Sequence, residues 1–130
     1  MQESVQLGKF KCGLEIHVYL NVENKQKLFC PCAITPNAEP NTTICPRCTA
    51  QPGSKPQLPN GDALIKALKS TLMLNCKVNN ELIWQRKHYD WPDLPKGYQL
   101  TMSGSYAVPV GEHGNFAGIN IRECHIEEDP

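Results

Sequence analysis

Over residues 13–20, GLEIHVYL, apolar Leu14, Ile16, Val18 and Leu20 alternate with Glu15, His17 and Tyr19. This period of two predicts a half-buried strand with Glu15 and His17 on its polar face. Over residues 61–74, GDALIKALKSTLML, the period changes. Leu64, Ala67, Leu68 and Leu72 recur at helical spacing, with Ala63, Thr71 and Met73 widening the stripe and Lys66 and Lys69 off it. Asn60 is the expected N-cap and Asn75 the expected stop. Residues 105–110 and 116–126 read as strands joined by a GEHGN turn. Toward the end, Cys124 and Ile126 alternate with Glu123, His125 and Glu127. Between these elements, residues 30–59 are rich in Pro, Asn, Thr and Cys without periodicity. PDLPKGYQ, near residue 95, predicts a rigid turn with Gly97 free to be left-handed. The expected class is α+β: an antiparallel sheet with one packed helix.

Composition narrows the picture. A chain of 130 residues is one domain's worth, and its 40% hydrophobic content is too high for a disordered chain. Thirteen basic and thirteen acidic residues give a net charge of zero, which excludes a polycationic nucleic-acid binder. No apolar run approaches the roughly 20 residues of a membrane span. MQESVQLGKFKCG lacks the apolar core of a signal peptide, so a cytoplasmic location is expected.

Seven cysteines are many for this length, and the number is odd. Cys30-Pro31-Cys32 and Cys45-Pro46-Arg47-Cys48 form C-x-C and C-x-x-C pairs on the structureless stretch 30–48. Two such chelating pairs suit tetrahedral zinc, and four thiolates would close the site and make it structural. Free or disulfide-bonded cysteines are the plainer alternative. Cys12, Cys76 and Cys124 adjoin apolar residues and are expected to be buried.

Glu15 and His17 share a strand face, and Glu127, Glu128 and Asp129 end another. Were those strands neighbours, the carboxylates would suit Mg²⁺ or Mn²⁺ with phosphate oxygens completing the shell. His17 would favour Mn²⁺ or stand behind the ligands. A solvated strand face is the alternative. Arg86, Lys87, His88 and Tyr89, with Lys96, Gly97, Tyr98 and Gln99, form a basic and aromatic segment. It reads either as a phosphate or nucleotide contact or as a solvated loop anchored by its aromatics.

Taken together, GLEIHVYL, KLFCPC, AEPNTTICPRC, QPGSKP, RKHYDWPDLPKGYQ and IRECHIEEDP resemble the GatB component of tRNA-dependent amidotransferases. The segments keep the family's order and cover residues 12–130 almost continuously. QPGS and EEDP look archaeal. The related GatE subunit shares the first segment but usually not PDLPKGYQ, so GatB is the closer match. The resemblance implies a glutamine synthetase/guanido kinase-like cradle. It implies ATP-dependent phosphorylation of the side-chain carboxylate of Glu-tRNA(Gln) or Asp-tRNA(Asn). Ammonia from a GatA-type amidase subunit then displaces phosphate, and a GatC-type small subunit joins the two. It places Mg²⁺ or Mn²⁺ on Glu15, His17 and Glu127, with Glu128 adjoining, and structural zinc on Cys30, Cys32, Cys45 and Cys48. Arg86 and Lys87 would meet phosphate, while Tyr89, Lys96, Tyr98 and Gln99 would line the ATP or aminoacyl pocket.

Two departures from the pattern stand out. Family members are several times longer and carry further catalytic residues and tRNA-binding helical domains. Residues 1–130 are therefore expected to be the N-terminal part of the cradle, with an incomplete site. The bacterial pattern also has Asn where this chain has His88. A zinc-stabilised structural module without chemistry is the main rival reading. A stand-alone ligase acting on a free amino acid is the third.

Overall fold

The computed structural model describes residues 8–92, 94 and 96–129. The first seven residues, Asp93 and Pro95 of the expected turn, and Pro130 lie outside the described residues. Among the described residues a single helix, α1 (Gly61–Met73), is followed by β1 (Lys77–Val78), β2 (Gln85–His88), β3 (Tyr98–Thr101), β4 (Gly111–Phe116) and β5 (Ile119–Cys124). The α+β class with antiparallel pairing is as expected.

Asn60 caps α1 by accepting the Asp62 N–H at 3.0 Å. At the other end Asn75 turns left-handed, with φ 54°. Its N–H meets the Leu72 carbonyl at 3.0 Å, and the Cys76 N–H meets that of Thr71 at 3.1 Å. These are the two bonds of a Schellman stop, and Asn is one of the few side chains that tolerate its conformation. The buried face of α1 is Ala63, Ala67 and Thr71, with Leu64 half-buried. Ile65, Leu68, Leu72 and Met73 are exposed, so the buried stripe is narrower than the sequence suggests.

Strands β1, β4 and β5 form one antiparallel sheet in the order β1-β4-β5. The expected GEHGN turn is instead the body of β4. Its glycines serve close packing: a Cβ on Gly111 would meet the Thr71 side chain, and one on Gly114 the Cys76 sulfur. The chain reverses later, at Ala117 and Gly118, with φ 50° and 80°. Two residues of positive φ between paired Phe116 and Ile119 make a tight hairpin turn. Residues 105–110 carry no strand; Val108 makes an isolated bridge to Ile83.

Strands β2 and β3 form a second antiparallel sheet. The chain leaving β5 joins it: Thr101 bridges Glu127, and the Glu128 N–H meets the Leu100 carbonyl at 2.9 Å. Met102, Val110 and Ile126 meet Ala67 between the sheets and the helix. Leu20, Leu28, Leu64, Leu82 and Trp84 pack around that centre.

The expected strand over 13–20 is not formed. Residues 8–22 are outside helix and strand, and Leu14, Ile16, Val18 and Tyr19 are exposed. The alternating pattern prepares one face for burial, but a strand also needs a neighbour's N–H and C=O groups. Among the described residues no segment pairs with it. Of the cysteines expected to be buried, Cys76 is, Cys124 is partly so, and Cys12 is exposed.

Candidate functional site

The four clustered cysteines come together as their spacing suggests. Residues 25–34 fold back on themselves: Gln26 bridges Ala33, and the Lys27 N–H meets the Cys32 carbonyl at 3.0 Å. This presents Cys30 and Cys32. The second pair sits on successive turns, where the Thr49 N–H meets the Cys45 carbonyl at 3.2 Å and the Gln51 N–H meets that of Pro46 at 2.9 Å. The four sulfurs lie within 4.8 Å of one another. Cys45 and Cys48 sulfurs are 3.9 Å apart. Tetrahedral zinc with bonds of about 2.3 Å needs sulfurs about 3.8 Å apart, so the spacing suits such an ion.

The electrostatics suit it as well. Burial is the largest influence on Cys30, and pushes its thiol up to about 12. Burial also raises Cys32. The Cys48 backbone N–H, pointing at the Cys45 sulfur, is the main cause that brings that thiol down to about 7. Without a cation, then, part of the cluster resists ionisation; a divalent ion would offset that resistance. The loop is fastened to the body by the Asn60 N–H on the Leu28 carbonyl at 2.8 Å and by Phe29, edge-on to Trp84 at 5.6 Å.

A second grouping lies on the hairpin of β2 and β3. Its register sets Arg86 opposite Leu100, Lys87 opposite Gln99 and His88 opposite Tyr98. The Arg86 guanidinium sits 4.6 Å and the Lys96 ammonium 4.8 Å from the Tyr98 ring centre. Gly97, with φ 70°, lets the chain re-enter the sheet. Tyr89 is half-buried at the start of the connecting loop, and its N–H meets the Gly97 carbonyl at 3.2 Å.

Glu127 and Glu128 follow the edge of β3 and serve different partners. The Thr101 hydroxyl donates to Glu127 Oε1 at 2.5 Å and accepts the Ser103 N–H at 2.9 Å. Glu128 is buried; its Oε2 meets the Lys96 ammonium and accepts the Leu100 N–H at 3.2 Å. The alternation of an extended chain sends the two carboxylates to opposite sides. Arg86, Lys87, Tyr98 and Gln99 lie on the β2–β3 hairpin, with Glu127 and Glu128 along its edge and Lys96 in the turn before β3.

Among the described residues, no hydrogen bond or ion pair joins Glu15 or His17 to that sheet. They pair with each other at 3.3 Å on the exposed segment. Among the described residues, the one group of three or more metal-ligating side chains with all donor atoms this close is the cysteine cluster. Near Glu127 lie His125, read from sequence only as part of an alternating polar face, and Thr101, not read there as a site residue. His125 lies between Glu123, at 3.2 Å, and Glu127, at 3.7 Å. The spacing of two that set Glu123, His125 and Glu127 on one polar face does bring them together. Thr101 is fully buried, and no pattern marks it.

A family model described as the GatB/GatE catalytic domain matches residues 10–130. The chain is 50% identical over its full length to the GatB component of the aspartyl/glutamyl-tRNA(Asn/Gln) amidotransferase of Methanococcus aeolicus, and covers 26% of it. The corresponding protein of Methanothermobacter thermautotrophicus is 54% identical over 92% of the chain. That of Methanocaldococcus jannaschii is 50% identical over 94%. The chain spans about a quarter of the length of these curated relatives. No helix among the described residues is long and apolar enough to cross a membrane. With its family model matched from residue 10 to residue 130, the chain belongs to the GatB/GatE catalytic domain family.

Proposed function

We propose that residues 1–130 form the N-terminal part of the cradle-like catalytic domain of GatB in a cytoplasmic tRNA-dependent amidotransferase. In that reaction the side-chain carboxylate of Glu-tRNA(Gln) or Asp-tRNA(Asn) attacks the γ-phosphorus of ATP. The product is an acyl phosphate, with ADP leaving. Ammonia supplied by a GatA-type amidase partner attacks the acyl carbon, and phosphate leaves as the amide forms. A GatC-type small subunit would join the two large ones. Regions beyond this chain would bind the tRNA body.

The observation that carries this reading is the β2–β3 hairpin, whose register sets Lys87 and Gln99 on the face that carries Glu127 and Arg86 on the face that carries Glu128. Phosphoryl transfer depends mainly on positioning and on neutralising charge, so cations on a rigid ribbon suit it. Arg86 is held against the Tyr98 ring, which limits its rotamers and presents its fork to phosphate oxygens. Gln99 holds the carboxylate-bearing segment by donating its side-chain N–H to the Glu128 carbonyl at 2.6 Å. Glu15, His17 and Glu127 would hold Mg²⁺ or Mn²⁺, with Glu128 adjoining. The ion's contribution when bound is to neutralise phosphate charge. Tyr89, Lys96 and Tyr98 would border the ATP or aminoacyl pocket. Cys30, Cys32, Cys45 and Cys48 would bind structural zinc.

The test is Mn²⁺ binding to the zinc-loaded chain with and without ATP, in parent and His17→Ala. Binding strengthened by ATP and lost in the variant supports the reading. Equal weak binding in both, on folded protein, favours the rival: a zinc-stabilised module without chemistry. That Glu15 and His17 pair with each other on an exposed segment, outside any close ligand cluster among the described residues, is the observation that keeps this second reading in view.

A further inference from the structure

One cation in the cysteine loop is absorbed by neither the fold nor the proposed phosphate site. The Lys27 ammonium lies 3.8 Å from the Cys48 sulfur in a part-buried setting. Among the described residues, no carboxylate pairs with it. Its backbone is fixed, since the Lys27 N–H meets the Cys32 carbonyl at 3.0 Å and the neighbouring Gln26 bridges Ala33. Lys27 therefore belongs to the arm that carries Cys30 and Cys32, while its charge reaches the opposite pair. Arg47, inside that pair, is exposed.

Four thiolates around one divalent ion leave two negative charges in a partly dry place. Such a charge is costly unless hydrogen bonds or a cation offset it. Backbone N–H groups supply part of this, as at Cys48, whose sulfur accepts the Cys45 N–H at 3.2 Å. An ammonium supplies more, because hydrogen bonds from charged donors are the stronger kind.

We infer that Lys27 is a positioning residue for the metal cluster: its ammonium offsets the thiolate charge at Cys48 and ties the two cysteine pairs together across the ion. The inference rests on the reading of the four cysteines as a zinc site. It concerns how strongly the ion is held, a property separate from phosphate chemistry. Partners behind metal ligands typically matter by about 10–100-fold in affinity.

The experiment is a charge series, Lys27→Arg, Lys27→Met and Lys27→Glu, on the whole chain. Zinc affinity is read by competition with a chromophoric chelator. Cobalt substitution reports four-sulfur coordination by its absorption spectrum. The expected order is parent and Lys27→Arg alike, Lys27→Met about tenfold weaker, and Lys27→Glu weaker still. The cobalt spectrum should still report four sulfurs in the Met variant. If Lys27→Glu fails to fold, the Arg and Met pair still decides. Affinity that is flat across the series, or Arg as weak as Met, overturns the inference while leaving zinc in place. A parent chain that binds no stoichiometric zinc overturns both the inference and the zinc reading.

Discussion

Two segments that flank the core carry opposite lessons. Residues 8–20 have the apolar alternation of a strand, yet form none and leave Leu14 91% exposed. Residues 22–60 have no periodicity, yet hold a defined course with Val22, Phe29 and Cys30 buried. A strand's order is borrowed from its neighbour, whereas the cysteine loop closes its hydrogen bonds within itself. Leu14, Ile16, Val18 and Tyr19 on the first segment and Ile65, Leu68 and Leu72 on the helix are left exposed.

If the four cysteines hold zinc as proposed, removing it is the sharpest way to break the contrast. Structural zinc in small domains is worth about 10–16 kcal/mol of apparent binding energy at neutral pH, far more than any single side chain. Chelation, or the double change Cys45→Ser and Cys48→Ser, should release residues 25–57 to rapid amide exchange and proteolysis. Residues 8–19 should exchange rapidly throughout, with or without metal. Hydrogen exchange by mass spectrometry reads both in one experiment. The pH dependence has a fixed sign. Cys30, pushed up to about 12, and Cys32, also raised, are protonated at neutral pH. Zinc must displace those protons, so its affinity rises with pH and is lost as pH falls. Calorimetry in buffers of different ionisation enthalpy should record proton release on binding.

Next in size is the Lys96–Glu128 pair, in which both side chains are nearly buried. Removing one partner of such a pair strands the other charge, at a cost of about 3–5 kcal/mol. Lys96→Met should lower the unfolding free energy by that amount and loosen the 91–97 loop. Chemical denaturation reads the first and hydrogen exchange the second. A loss below about 1 kcal/mol would mark the pair as effectively solvated, since exposed ion pairs contribute no more than that.

What could be read from residues alone divides along the same line. Helix α1, its Asn60 cap and its Asn75 stop were legible because each is a local matter of spacing and backbone preference. The cysteine cluster was legible for the same reason. The hairpin of β2 and β3 was not, because QRKH shows no apolar alternation and the loop before YQLT carries the signals of a turn. GEHGN read as a turn because glycine has two uses, and only the neighbouring Thr71 and Cys76 reveal which applies. At the candidate site, Arg86, Lys87, Tyr98 and Gln99 were legible as a basic and aromatic segment whose roles came from resemblance, and the hairpin register explains why they lie together. Thr101 was invisible: its role depends on a bridge to Glu127, 26 residues away.

A smaller effect is expected at Asn60, where the loop is fastened to the helix. Its side chain caps α1, exchanges hydrogen bonds with Asn24 at 2.9 and 3.0 Å, and donates to the Gln26 carbonyl at 3.0 Å. Loss of an N-cap costs about 1 kcal/mol, up to about 2 where further bonds go with it. Asn60→Ala should show that loss in chemical denaturation. Asn60→Asp should recover the cap but not the donor to Gln26, and fall between.

The smallest expected effect is the most informative about the first segment. In this chain Leu14 and Ile16 are exposed, so replacing both by Ser removes almost no buried area. Surface changes of this kind are usually worth within about 0.5 kcal/mol. Leu14→Ser with Ile16→Ser should therefore leave the denaturation midpoint and its slope unchanged. Had the two residues been packed in the core, truncation of each would cost about 2–5 kcal/mol. A loss of that size would mean that residues 13–20 do find a strand partner in solution, and the contrast with the cysteine loop would collapse. The same pair of substitutions in a chain of the relatives' full length then becomes decisive. Destabilisation there, with none here, would locate the missing neighbour in the residues that this chain does not share with them.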